Sequence, residues 1–195
     1  MQTTTRTALK EWAVLVDAMA RGDMVALIRK GGIRERRAGF VVRHEQFLLY
    51  PTRFHENIPE LAPRFRERLG RTEEPNGAAT EHRVVITHLA TVARVWSVDS
   101  LDRLHAIEDE HGLAWEAVES RFRYRGEPGV QVVAVRVARL AAPADLPELP
   151  RYGGCVSWLE LGEHVRIDRA TPAIDDDAFG RRVAALEHLL GAPGA

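Results

Sequence analysis

Apolar residues recur every three to four positions across 8–21, where Leu9, Trp12, Ala13, Val16, Met19 and Ala20 share one face of a helical wheel. Thr7 stands where an N-cap belongs and Gly22 where a helix stops, so the pattern predicts an N-terminal helix over 8–21. Residues 24–29 form a short apolar run of strand length that ends at Gly31 and Gly32. A second strand is predicted over 40–50, interrupted by His44, Glu45 and Gln46 and closed by Pro51. Residues 57–70 read as a helix with Pro59 at an early position and Leu61, Phe65 and Leu69 on one face.

Residues 71–81, with Glu73, Glu74, Pro75, Asn76 and Gly77, read as a loop. A β-rich run over 82–96 predicts a strand with a bend near Ala90 and Thr91. A helical insertion over 100–123 follows, capped by Ser100 and broken at Gly112. Residues 130–140 are dense in β-branched side chains and predict another strand, after which Pro143, Pro147 and Pro150 argue against regular structure. Short strands are expected at 155–161 and 164–167, then a C-terminal helix over 175–190 capped by Asp175 and ended by Gly191. Such irregular alternation does not fit a doubly wound parallel sheet. It predicts an α+β fold in one domain over 1–195, a small curved mixed β-sheet or barrel flanked by helices.

Composition adds limits rather than detail. With 195 residues and 45% hydrophobic content the chain is long enough to bury a substantial core, and no apolar run approaches the roughly 20 residues that span a bilayer. The N-terminus lacks the apolar region of a signal peptide, and Cys155 is the only cysteine, so an intramolecular disulfide and a Cys-rich zinc site are excluded and a cytoplasmic location is expected. The net charge of −1 hides an asymmetry: residues 1–71 hold 14 Lys+Arg and 8 Asp+Glu, and 72–195 hold 13 and 20. The first part is a candidate face for phosphates, or simply a solvated one.

Two lysines stand against 25 arginines, and Lys30 lies in the Arg29-Lys30-Gly31-Gly32 turn with Arg34, Arg36 and Arg37 close behind. Glycines let a backbone approach a phosphate or base, and the cations supply charge. The P-loop and dinucleotide glycine patterns are both absent, so nucleotide hydrolysis has no support, and a hairpin turn rimmed by solvated arginines explains the same residues. His44-Glu45 and His55-Glu56 would hold a metal or move protons if they converged, although their spacing matches no helical metal motif. Tyr50, Trp96, Tyr124, Tyr152 and Trp158 fall at strand ends or turns, where a ring can stack on a base or fill a core. Tyr152-Gly153-Gly154-Cys155-Val156-Ser157-Trp158 packs glycines, a thiol, a hydroxyl and an indole into seven residues that suit a pocket wall. Neither Cys155, for which His164 or His88 would have to serve as base, nor Ser157 sits in a nucleophile motif.

Ala8-Leu9-Lys10-Glu11-Trp12, the 27–33 segment, Phe47-Leu48-Leu49-Tyr50-Pro51-Thr52 and the 152–158 segment together resemble the bacterial family catalogued as domain of unknown function 1802. That resemblance implies no reaction. The 132–140 strand, followed by Pro143, Leu146 and a terminal helix, is also similar to the closing half of EVE and other PUA-like domains, as is the 84–96 strand with its helical insert. Cys155-Val156-Ser157-Trp158 departs from the EVE pattern at its last motif. The PUA-like resemblance implies a small β-barrel and binding of RNA or a modified base in an aromatic-lined cleft.

These readings combine into a nucleic-acid or modified-nucleotide binding module, with RNA, DNA or a modified nucleotide as partner and neither cofactor nor metal. Its expected ligand-binding residues are Arg29, Lys30, Gly31, Gly32, Arg34, Tyr50, Arg53, Trp96, Tyr152, Ser157 and Trp158. Two alternatives stand beside it. One is a metal-dependent nuclease or other hydrolase using His44, Glu45, His55, Glu56 and Lys30. The other is a protein-interaction subunit or homo-oligomer.

Overall fold

Successive strand residues face opposite sides of a sheet, and in this chain the two sides carry separate cores. A computed structural model describes residues 3–30, 44–53, 58–69, 83–154 and 156–192. Thr4–Trp12 is a strand, β1, in which Ala8 enters the smaller hydrophobic cluster and Leu9 the larger. Gln46–Thr52, β3, repeats the pattern, with Phe47 and Leu49 on the larger side and Leu48 and Tyr50 on the smaller.

The remaining strands are β2 (Ala26–Arg29), β4 (Arg83–Val98), β5 (Val130–Pro147), β6 (Trp158–Arg166) and the two-residue β7 (Thr171–Pro172). They form one sheet in the order β2-β5-β4-β3-β1-β6, with β7 paired to β5. The pairing of β1 with β3 is parallel and the others are antiparallel. The sheet is therefore mixed and open, with β2 and β6 at its ends, and does not close into a barrel among the described residues.

Helices α1 (Ala13–Ala20), α2 (Pro63–Arg66), α3 (Leu101–His105), α4 (Trp115–Phe122) and α5 (Asp176–Leu190) all pack on one face. Each contributes to the larger cluster, through Met19, Phe65, Leu104, Val118 and Leu186 among others. The smaller cluster draws on no helix of this set: strand residues such as Leu48, Ile86, Leu146 and Leu161 fill it, joined by Tyr152. The curl of the sheet covers its own second face. None of these helices is long and apolar enough to cross a membrane.

Several expectations are corrected. The helix over 8–21 is a strand up to Trp12 and a helix only from Ala13, because Ala8 and Leu9 are both needed between two neighbours, β3 and β6. Thr7 caps nothing; its hydroxyl donates to Glu160 at 3.0 Å. The helix over 57–70 shrinks to a 3₁₀ turn, Ile58–Glu60, and the single turn of α2, since Pro63 cannot sit inside a longer helix. Pro51 does not end β3, because β4 pairs only with Gln46, Phe47 and Leu48 and has left before the missing N–H is needed.

Pro143 and Pro147 likewise lie within β5, on a stretch paired only with β4. Register shifts in the pairing of β4 with β5 occur between Ile86 and His88 and between Val92 and Arg94, not at Ala90 and Thr91. The two short strands expected near the C-terminus are one, β6. The helical insertion and the C-terminal helix stand as read, with Ser100 accepting from the Arg103 N–H and Asp175 from the Ala178 N–H. The 71–81 loop, the 40–43 part of the second strand and Cys155 lie outside the described residues.

Candidate functional site

The open sheet leaves a seam, and one end of that seam is clasped. Arg29, the last residue of β2, donates from Nη2 to the Lys10 carbonyl at 2.9 Å and to Glu11 Oε2 at 2.6 Å, reaching across to β1. Lys10 N–H in turn donates to Ser157 O at 2.8 Å, tying β1 to the residue just before β6. Beside this clasp lies a cavity of about 270 Å³. Its polar wall comes from Glu11, Arg29, Lys30, His111, Ser120, Arg121, Tyr124 and Ser157, and its apolar floor from Leu15, Met24, Leu27 and Leu113. Because the Val135 N–H donates to Val25 O, the peptide groups of Ala26 and Ile28 point away from β5 and toward the seam.

His111 lies between a 3₁₀ turn, Glu108–Glu110, and α4, in the break that Gly112 creates. A Cβ on Gly112 would stand 2.1 Å from Leu15 Cδ2, so any larger residue here would force the Leu15 side chain to shift. His111 is 1% exposed, and burial, then Arg64 and Arg121, pushes its pKa down to about 4. Its Nδ1 accepts from the Leu113 N–H at 3.2 Å, so the proton of the neutral ring sits on Nε2. That Nε2 is buried with no hydrogen-bond partner among the described residues.

Arg121, on α4, donates from Nη2 to Glu60 at 3.2 Å and lies 5.7 Å from the centre of the Trp12 ring. Its Nη1 is also buried without a hydrogen-bond partner among the described residues, and burial shifts its pKa downward. Arg29 and Glu11 retain only 18% and 12% side-chain exposure.

The family model for Domain of unknown function (DUF1802) matches residues 8–185. The chain belongs to the DUF1802 family. Solved structures similar to this DUF1802 chain include ASCH from Zymomonas mobilis, 11% identical over 91% of this chain and 93% of that one, with a TM-score of 0.41. A single-residue variant of the same protein is 12% identical over 93% and 97%, with a TM-score of 0.42. No curated protein matches the sequence.

The DUF1802 fold separates the residues that the sequence grouped together. Arg29, Lys30 and Ser157 line the cavity. Lys30, however, is committed: its ammonium donates to the carbonyls of Phe122 at 3.2 Å, Gly129 at 2.6 Å and Glu127, so it holds a loop and has no donor left for a phosphate. Trp96 is 1% exposed and donates from Nε1 to Gly191 O at 3.0 Å, which excludes stacking on a base. Tyr50 and Tyr152 belong to the smaller core, edge-on to one another with ring centres 6.0 Å apart. The Tyr50 hydroxyl donates to Glu148 at 3.1 Å, and burial followed by Glu148 raises its pKa.

Trp158 is half-buried against Phe47, at 5.0 Å, and His44, at 5.2 Å, and Arg53 is exposed beyond the end of β3. Neither belongs to the cavity wall. Among the described residues no group of three or more metal-ligating side chains comes together. Gly31, Gly32, Arg34, His55 and Glu56 lie outside the described residues. His111 and Arg121 were missed. The signal for His111 was its place beside Gly112 between two helical runs; Arg121 had none, because only the clasp of distant strands makes its side of α4 an inner wall.

Proposed function

We propose that this DUF1802 protein binds single-stranded nucleic acid or a modified nucleotide, placing one nucleotide in the seam cavity. The observation that carries this reading is the His111 Nε2–H, a buried donor without a hydrogen-bond partner among the described residues, on the wall of a cavity that also holds Arg29 and Arg121. Unpaired bases are recognised by hydrogen bonds to their edges and by stacking, whereas a duplex cannot enter so small a space. Tyr124, 39% exposed on the cavity wall, offers the ring on which a base can stack. This ring takes the role the sequence suggests for Trp96, Tyr50 or Trp158.

Fluorescence anisotropy with labelled single-stranded RNA and DNA tests the reading at low and moderate salt. Binding is expected to weaken as salt rises, and Tyr124→Ala is expected to reduce affinity about tenfold, on the scale of one lost base stack. Absence of binding by RNA, single-stranded DNA and modified nucleotides at low salt overturns it.

A further inference from the structure

Charge around the cavity does not balance. Arg29, Lys30 and Arg121 bring three positive charges, and Glu11 and Glu60, the ion-pair partners of Arg29 and Arg121, bring two negative ones. The carbonyls that hold Lys30 satisfy its N–H groups but carry no net charge. Counted over these described residues alone, one positive charge is left over in a half-enclosed space where water screens weakly.

The two orphan donors identify the kind of group that answers it. His111 has spent Nδ1 on the Leu113 N–H, and its Nε2 has no hydrogen-bond partner among the described residues. Arg121 has spent Nη2 on Glu60, and its Nη1 has no hydrogen-bond partner among the described residues. Both residues line the same cavity, and each orphan donor would carry a desolvation cost unless an acceptor meets it. We propose that the cavity seats the phosphodiester of a nucleic-acid strand, its non-bridging oxygens accepting from His111 Nε2–H and Arg121 Nη1. The proposal rests on the nucleic-acid reading above and names the group that is read.

A phosphodiester carries one negative charge, which matches the surplus. A terminal phosphate carries nearly two at neutral pH and would leave one unmatched. A neutral imidazole suits the single charge, since it donates a hydrogen bond without adding a second cation. The nucleotide flanking this phosphodiester then lies toward Tyr124, and the strand leaves along the seam.

The test uses the full chain and four probes: a dinucleoside monophosphate, the corresponding nucleoside, its 5′-monophosphate and inorganic phosphate. Calorimetry gives affinity, and ¹⁵N NMR of the histidine rings reports on His111. The dinucleoside monophosphate is expected to bind most tightly, to shift the His111 Nε2 resonance, and to raise the His111 pKa above its free value of about 4, because an anion beside the ring favours its protonated form. His111→Asn retains an acceptor for the Leu113 N–H and removes the Nε2 donor; Arg121→Lys retains the charge and removes Nη1. Each is expected to weaken binding roughly 10- to 100-fold, the scale of one hydrogen bond to a charged group.

Wild-type affinity for RNA in both variants, with the His111 resonance unmoved, overturns this proposal and leaves the nucleic-acid reading intact. Tighter binding of inorganic phosphate or the 5′-monophosphate overturns it in favour of a free-phosphate site. Failure of every nucleic acid to bind, together with a silent His111, removes both. If His111→Asn does not fold, Arg121→Lys and the wild-type ring titration decide the matter.

Discussion

His111 shows how a single side chain ties the site to stability. Its ordinary pKa of 6.5 falls to about 4 in the folded chain, chiefly through burial. Between pH 6.5 and 4 the unfolded chain therefore takes up a proton that the folded chain refuses, and stability falls as the pH falls through that window. Above pH 6.5 both states are neutral and the effect vanishes. At 1.36 kcal/mol per pKa unit the full loss approaches about 3 kcal/mol by pH 4. Urea unfolding at pH 7, 5.5 and 4 is expected to show His111→Asn losing less stability on acidification than the wild type. Equal slopes would mean that the ring is solvated. The sequence marks this histidine only by its place beside Gly112; its burial depends on packing with residues distant in the chain, and Leu15, Met24 and Arg121 line the same cavity.

At the scale of elements, Lys30 joins the end of β2 to the segment between α4 and β5. It stands where three carbonyls converge, and Gly129 adds its own N–H bond to Phe122 O at 3.1 Å. Lys30→Met keeps the aliphatic stem and strips those acceptors of their donor, so a loss of about 2 kcal/mol is expected. Hydrogen exchange should quicken first at the Gly129 amide, ahead of the β4 and β5 amides. Uniform quickening would show that Lys30 supports the whole sheet instead.

The same scale shows where local pattern misled. Leu9, Trp12 and Val16 have helical spacing, yet Ala8 and Leu9 enter two different cores, which only a strand allows. Prolines at 51, 143 and 147 look like stops, yet each lies within a strand at a stretch paired on one side only, Pro51 with β1 and Pro147 with β4. By contrast, Ser100 and Asp175 cap their helices as expected, because capping depends on a side chain and the next few residues alone.

For the whole molecule, the Arg29–Glu11 pair links β2, at one end of the sheet, to β1 near the other. Both side chains are largely buried, so removing one leaves the other with a buried charge and one ion-pair partner fewer. Arg29→Met alone is expected to cost about 3 kcal/mol, and Arg29→Met with Glu11→Leu less than that, since apolar replacement of both partners leaves neither charge behind. A double-mutant cycle by chemical unfolding measures the difference, and additive losses would show that the two residues act separately. The double variant should also lose the shape of the cavity and with it nucleic-acid affinity.

Composition and spacing were sufficient for the α+β class, the β-dense central strands, the helical insertion and the capped C-terminal helix, because those rest on local periodicity and side-chain chemistry. Four motif segments were also enough to place the chain among its relatives, and Arg29, Lys30 and Ser157 were singled out before their neighbours were known. The division of strand residues between two cores, the commitment of Lys30 to a loop, the burial of Tyr50 and Trp96, and the meeting of His111 with Arg121 all depend on contacts between residues far apart in the chain. Long-range packing creates those environments, so a side chain's burial, charge state and free valence exist only after the sheet has curled and its seam has been clasped.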